Sequence, residues 1–161
     1  MAIITKKLSR RIEINAPVER VFAFLTHPAN LPEVWPSLLE VANIEHRPDG
    51  GHSFDFVYKM AGVRLHGHSA TEKAERNQRV VTKNVGGLPS TFDWRFEAFG
   101  AGGTRVTLNV DYTIPGQVLS RLAEPLVHRI NEHEADLLLQ NVKARLELGR
   151  ATMEEPRPAA H

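Results

Sequence analysis

Apolar and polar residues change rhythm three times along the 161-residue chain. Residues 6–15 alternate weakly around Leu8, Ile12 and Ile14, which predicts a strand. Val18, Val21, Phe22 and Leu25 then recur at helical spacing and predict a helix over about 17–26, with Asn15 as its cap and Pro17 in its first turn. His27-Pro28 ends it, because a residue before proline is pushed out of the helical region. Asn30 followed by Glu33 reads as a capping box, so a second short helix is expected before Trp35.

From Leu39 the period becomes two. Strands are expected over 39–47, 52–60, 63–75, 79–85, 89–99 and 104–114, separated by turn residues such as Asp49-Gly50-Gly51. A two-residue turn at Ala61-Gly62 pairs Met60 with Val63, Tyr58 with Leu65, Phe56 with Gly67 and Phe54 with Ser69. A five-residue loop from Phe99 to Gly103 sets Phe92, Trp94 and Phe96 opposite Val110, Leu108 and Val106. Gly86-Gly87 is a plausible two-residue turn whose register stays open.

After Pro115-Gly116 the helical rhythm returns over about 117–149, kinked or divided at Pro125. Leu119, Leu122, Leu126, Ile130, His133 and Leu137 make one apolar face, and Ala135, Leu138, Leu139, Val142 and Leu146 a second stripe. The expected architecture is α+β. A strand, two short helices, six antiparallel strands and a long C-terminal helix form one domain over 1–149, followed by a disordered tail at 150–161.

Composition changes this picture mainly by exclusion. A net charge of +1 offers no basic field for a nucleic acid. The absence of cysteine removes disulfides and thiolate chemistry. No apolar run approaches ~20 residues, and the opening "MAIITKKLSRRIEIN" has no stretch of secretory length, so no transmembrane segment and a cytoplasmic location are expected.

The inward face of the sheet carries Phe54, Phe56, Tyr58, Phe92, Trp94, Phe96 and Tyr112, with small Gly67 and Ser69 among them. Large rings around small residues either fill a core or leave an apolar pocket. Tyr58, Tyr112, Trp94 and Ser69 would supply the pocket's polar groups. His133 reads either as a core histidine or as a polar group in the cavity that orients a ligand or moves a proton. Glu132 or Asp136 could orient it, though a solvated flank is the simpler reading. His66, His68 and Asp55 share an outward face and read as surface rather than as a metal site. Lys6-Lys7 and Arg10-Arg11 read as a solvated sheet edge. No Gly-x-Ser-x-Gly or phosphate loop is present, and neither metal nor cofactor is expected.

"INAPVERVFAFLTHPANLPEVWPSLLEV", the strand series and "LPSTFDWRFEAFGAGGTRVTLNVDYTI" before the last helix resemble the polyketide cyclase/dehydrase family of the START-like (SRPBCC, Bet v 1-like) superfamily, over about residues 6–149. The first segment is similar to the pattern "APxExVFxxLxDPxNLPxWxP", with His27 where an acidic residue is common and Val34-Trp35 where paired tryptophans are common. The resemblance implies a helix-grip fold, a curved antiparallel sheet gripping the last helix around a deep apolar cavity for lipids, sterols, quinones or polyketides. The expected function is binding of such a molecule between sheet and helix, with polyketide cyclase, aromatase or dehydrase activity in the same cavity as the alternative. The residues expected to line it are Trp35, Phe54, Phe56, Tyr58, Leu65, Ser69, Phe92, Trp94, Phe96, Leu108, Tyr112, Leu122, Leu126, Ile130 and His133, with His133 the one weak catalytic candidate. Trp35 is either a gate at the mouth or core packing. The protein is expected as a monomer or a homodimer; the stripe of Leu138, Val142 and Leu146 reads first as packing against the first strand and the short helices, and as a dimer surface only if exposed.

Overall fold

The computed structural model describes residues 4–154, with side chains described through Leu148. The chain runs β1 (Thr5–Ile14), α1 (Val18–Thr26), a 3-10 turn (Pro28–Asn30), α2 (Leu31–Val34), β2 (Leu38–His46), β3 (His52–Met60), β4 (Val63–Glu75), β5 (Arg79–Gly86), β6 (Ser90–Phe99), β7 (Gly103–Thr113), α3 (Gly116–Leu119) and α4 (Glu124–Glu154). The strands form one antiparallel sheet in the order β1-β7-β6-β5-β4-β3-β2. This is the helix-grip α+β fold.

Strand registers follow the alternation. Met60–Val63, Tyr58–Leu65, Phe56–Gly67 and Phe54–Ser69 are partners, as are Phe92–Val110, Trp94–Leu108 and Phe96–Val106. Short turns leave no slack for a slip, which would turn every ring to solvent. The Ala61-Gly62 turn has positive φ at both residues, 52° and 77°, the geometry that matches the strand twist. Register slips at Leu38/Glu40, Ala42/Glu45 and Thr71/Lys73 interrupt the ladders, and such bulges bend a sheet. Asn43, at φ 54°, sits inside one of them.

The helices correct several expectations. Asn15 does not cap α1; Pro17 holds that position with no side-chain cap bond. The capping box also fails: Asn30 Nδ2 donates to the Phe24 carbonyl at 3.0 Å, and Glu33 pairs with Arg145 at 2.8 Å. The last helix is divided, as the proline predicts, but the break falls ahead of Pro125. α3 stops at Leu119 and α4 starts at Glu124, so the spacing carried across the break loses its phase. The buried face of α4 is Val127, Asn131, Ala135, Leu138, Leu139, Val142 and Leu146. Leu138, Val142 and Leu146 are therefore core, the first of the two readings of that stripe, and offer no exposed dimer surface. α4 also continues through residues 150–154, which were expected in the tail, while residues 155–161 lie outside the described residues.

α4 crosses β1 and contacts α1 and α2. Arg10, expected at a solvated edge, instead reaches α4: Nη2 donates to Glu132 at 3.0 Å and Nε to Asp136 at 2.8 Å. Those two carboxylates thus serve Arg10, not His133. Lys6 pairs with Glu124 near the start of α4. Asn141 Nδ2 donates to the Val34 carbonyl at 2.9 Å and ties α2, and with it the adjoining Trp35, to the long helix.

Candidate functional site

Two hollows lie under the sheet. The larger, the α1–α2 chamber, lies between the sheet and residues 22–35; it is a cavity of about 80 Å³ inside a recess of about 900 Å³ of atom-free space that is partly open to solvent. Phe22, Leu25, Leu31 and Trp35 wall it from the helical side, and Phe54, Phe56, Tyr58, Phe92, Trp94 and Phe96 from the sheet. The smaller, the α4 chamber, has about 40 Å³ inside about 420 Å³ and is walled by Leu108, Tyr112, Asn131, Glu134, Ala135 and Leu138 among others. Trp35, Tyr58, Leu88 and Phe92 border both. The main hollow is thus not under the C-terminal helix, as expected, but under the proline-punctuated pair: its lining includes no α4 residue.

Of the expected lining residues, Trp35, Phe54, Phe56, Tyr58, Ser69, Phe92, Trp94 and Phe96 face the α1–α2 chamber, and Leu108 and Tyr112 the α4 chamber. Leu65 is buried in the core but lines neither. Leu122 packs partly buried against the core, away from both chambers. Leu126 is exposed, and His133 lies beside Ile130 in an open groove outside the two chambers. One helical residue is ~100° of rotation, so a face read through 126, 130 and 133 lies beside the true one through 127, 131 and 135. Gly67 leaves no space either. The Phe56 ring covers it so closely that a Cβ there would sit 2.5 Å from Phe56 Cζ. His66 and His68 face outward from the sheet; His68 pairs with Asp55 at 2.8 Å, and no cluster of metal-ligating side chains occurs among the described residues.

Polarity is distributed unevenly. In the α1–α2 chamber, Thr71 accepts a hydrogen bond from the His52 amide at 3.0 Å, and Asn84 donates to Ser90 at 2.9 Å. Four buried side-chain polar atoms lack a partner among the described residues, and three belong to the lining of the α4 chamber: Trp35 Nε1, Asn131 Nδ2 and Glu134 Oε1. The fourth, Arg105 Nε, is on the other face of the sheet, its guanidinium over the Phe99 ring at 4.4 Å. Each such orphan costs about 1–3 kcal/mol when no ligand or water meets it. Trp35 and Ser37 both face the Tyr58 hydroxyl closely enough to ease its ionisation, yet Trp35 Nε1 does not reach hydrogen-bond geometry. Burial, and then the charge of Glu134, push the Tyr58 phenol far above its usual range, so it stays a donor.

Sequence reasoning missed His128. Its Nδ1 lies 2.6 Å from the Tyr112 hydroxyl, with the two rings stacked at 6.0 Å, and its Nε2 lies 4.0 Å from Glu132. Burial raises the Tyr112 pKa, while the neighbouring Asn131 opposes the shift. The signal for His128 was its place one turn before Glu132 and Asn131, legible only once the helix phase is known. At the far end, the imidazoles of His27, His46 and His52 cluster with centroids 4.7–6.5 Å apart, and His52 lines the α1–α2 chamber. Burial, His46 and His27 lower the His52 pKa.

A curved sheet closed by a long helix over apolar hollows defines the START-like class. The chain belongs to the family described as polyketide cyclase / dehydrase and lipid transport, whose model matches residues 5–147. Comparison with curated protein sequences found no significant match. Among solved structures, the protein TTHA0849 from Thermus thermophilus superposes with a TM-score of 0.77 at 20% identity, covering 89% of this chain and 99% of that one. The Zhui aromatase/cyclase from a Streptomyces species gives 0.75 at 16% identity, over 89% and 94%. A START superfamily protein from Mycobacterium smegmatis gives 0.74 at 14%, over 88% and 97%. At these identities the likeness concerns the fold. No helix among the described residues is long and apolar enough to cross a membrane.

Proposed function

We propose that the protein binds a hydrophobic or amphipathic small molecule of the lipid, sterol, quinone or polyketide-like kind under its curved sheet. The carrying observation is the unfilled, aromatic-walled α1–α2 chamber, since protein interiors otherwise pack to crystal density. Affinity comes from apolar burial at about 25 cal/mol per Å², less the cost of association. The enclosed 80 Å³ is below the ~300–1,000 Å³ of most ligand sites, so a multi-ring ligand moves side chains on entry. Trp35, partly buried on the boundary of both chambers, is the side chain placed to move. Both tryptophans of the chain, Trp35 and Trp94, line the α1–α2 chamber, so intrinsic emission reports occupancy. Titration with a fatty acid, a sterol, a quinone and an aromatic polyketide should change that emission and give a 1:1 adduct in native mass spectrometry for at least one class. No adduct and no change with any class would refute the reading.

The Tyr112–His128 pair favours a second reading, cyclisation or dehydration of a polyketide-like chain. Tyr112 borders the α4 chamber, and His128 at 2.6 Å is placed to exchange its proton. His133, outside the chambers, has no part in it. Turnover of a poly-β-ketone mimic that disappears in Tyr112→Phe and His128→Ala supports catalysis; turnover absent from the wild type removes it.

A further inference from the structure

We propose that the α4 chamber receives a hydroxyl, and that the ligand is an apolar molecule ending in a neutral phenol or alicyclic alcohol. This rests on the binding reading above and adds the chemistry of the ligand's polar end.

Three partnerless polar atoms arrive in this chamber from two separate elements. Trp35 follows α2, while Asn131 and Glu134 sit on adjacent turns of α4. Asn131 is 92% buried, since 8% of its surface is exposed. It stands beside the Tyr112 hydroxyl, yet its Nδ2 donates to nothing among the described residues. The indole N–H is a donor only, the amide nitrogen a donor, and a carboxylate oxygen an acceptor. A guest that meets all three must both accept and donate, and a hydroxyl is the smallest neutral group that does both. A hydroxyl also satisfies the amide whichever way it is turned. Tyr58 and Tyr112 add their own hydroxyls to the same lining.

Other chemistries fit less well. An ether or ketone accepts from Trp35 and Asn131 but leaves Glu134 unmet. A fatty-acid carboxylate would bring a second negative charge against Glu134 inside an apolar wall, where like charges repel strongly. A plain hydrocarbon end leaves all three atoms unpaired. The remaining wall of the chamber is apolar, including Leu8, Leu108, Val110 and Leu138, and fits the ring that carries the hydroxyl.

The test is equilibrium dialysis of the full chain near neutral pH against naphthalene, 2-naphthol, 2-methoxynaphthalene and 2-naphthoate. The wild type should hold 2-naphthol about tenfold more tightly than the methyl ether or the carboxylate, the effect of one well-made hydrogen bond. Asn131→Leu and Trp35→Phe should each reduce the ratio of 2-naphthol to 2-methoxynaphthalene affinity, a ratio read within each variant whatever its affinity for naphthalene. Glu134→Gln should raise 2-naphthoate relative to 2-naphthol by about tenfold. Equal wild-type affinity for 2-naphthol and its ether, tightest binding of the carboxylate, or variants that leave the preferences unchanged would overturn the inference while leaving apolar binding intact. Failure of all four probes, naphthalene included, would instead overturn the binding reading itself. Circular dichroism checks that each variant folds; if Asn131→Leu does not, Trp35→Phe and Glu134→Gln decide.

Discussion

The α1–α2 chamber and the α4 chamber are walled by one sheet and share Trp35, Tyr58, Leu88 and Phe92, yet they handle polarity in opposite ways. In the first, Thr71 and Asn84 already have hydrogen-bond partners, aromatic rings and aliphatic side chains make up most of the remaining wall, and the one unpartnered polar atom is the Trp35 Nε1 it shares with the second. In the second, Trp35, Asn131 and Glu134 each hold a polar atom in reserve. On the proposed binding function, the first chamber would contribute affinity in proportion to area and the second selectivity, because leaving a buried donor unmet is penalised far more than a made bond is rewarded.

The division breaks most completely at Trp35. Trp35→Ala removes the ring that meets Tyr58 at 5.5 Å and Phe92 at 5.4 Å and merges the chambers. Stability should fall by about 3 kcal/mol in chemical denaturation, and stopped-flow ligand release should accelerate. Loss of stability with an unchanged release rate would make Trp35 core packing alone. Gly67→Ala should act on one chamber only. Its methyl meets both the Phe56 ring and the Val85 carbonyl, so β4 and β5 must shift and the ring moves into the α1–α2 hollow, costing about 1–3 kcal/mol and weakening bulky ligands while leaving selectivity at the α4 end intact.

Acid should weaken the fold beside the same chamber. His52 resists protonation in the folded chain, because of burial and then His46 and His27, so near its ordinary pKa of 6.5 the unfolded chain binds more protons. Its contribution is complete above that pH and drains away as the pH falls through and below it. Denaturation midpoints followed from pH 8 to pH 5 should show the loss, and His52→Gln should flatten it. The smallest effect is expected at the other end. Ala61 holds φ 52° where Asn or Gly is more at ease, and Ala61→Asn should stabilise by about 0.5–1 kcal/mol in a thermal melt, with no change in ligand preference.

The contrast also explains what the chain's pattern made legible. The aromatic wall was readable residue by residue, because period two and the Ala61-Gly62 turn leave one register for Phe54, Phe56 and Tyr58. The β5–β6 junction was not, since Gly86 at φ 101° bonds into the β4 ladder opposite Gly67 instead of ending the strand early. The selective end was hidden for a different reason. Asn131, Glu134 and His128 are polar residues on a helix with charged neighbours, where pattern reading assigns polar side chains to solvent. Their place follows from the face that Val127, Ala135 and Leu138 bury, which a stripe drawn through Leu126, Ile130 and His133 misses by one residue. His133 looked central because its neighbours were apolar, and it lies outside because the helix is turned by one residue.

β1 pairs along its length with β7, Thr5 with Thr113 and Ile14 with Thr104. In the order of synthesis, the first strand made has no partner until the last strand exists. At ~5–20 residues per second that interval is on the order of ten seconds. Closure of the sheet is therefore a non-local, late step, and loss of either end of the chain leaves the other without its neighbour.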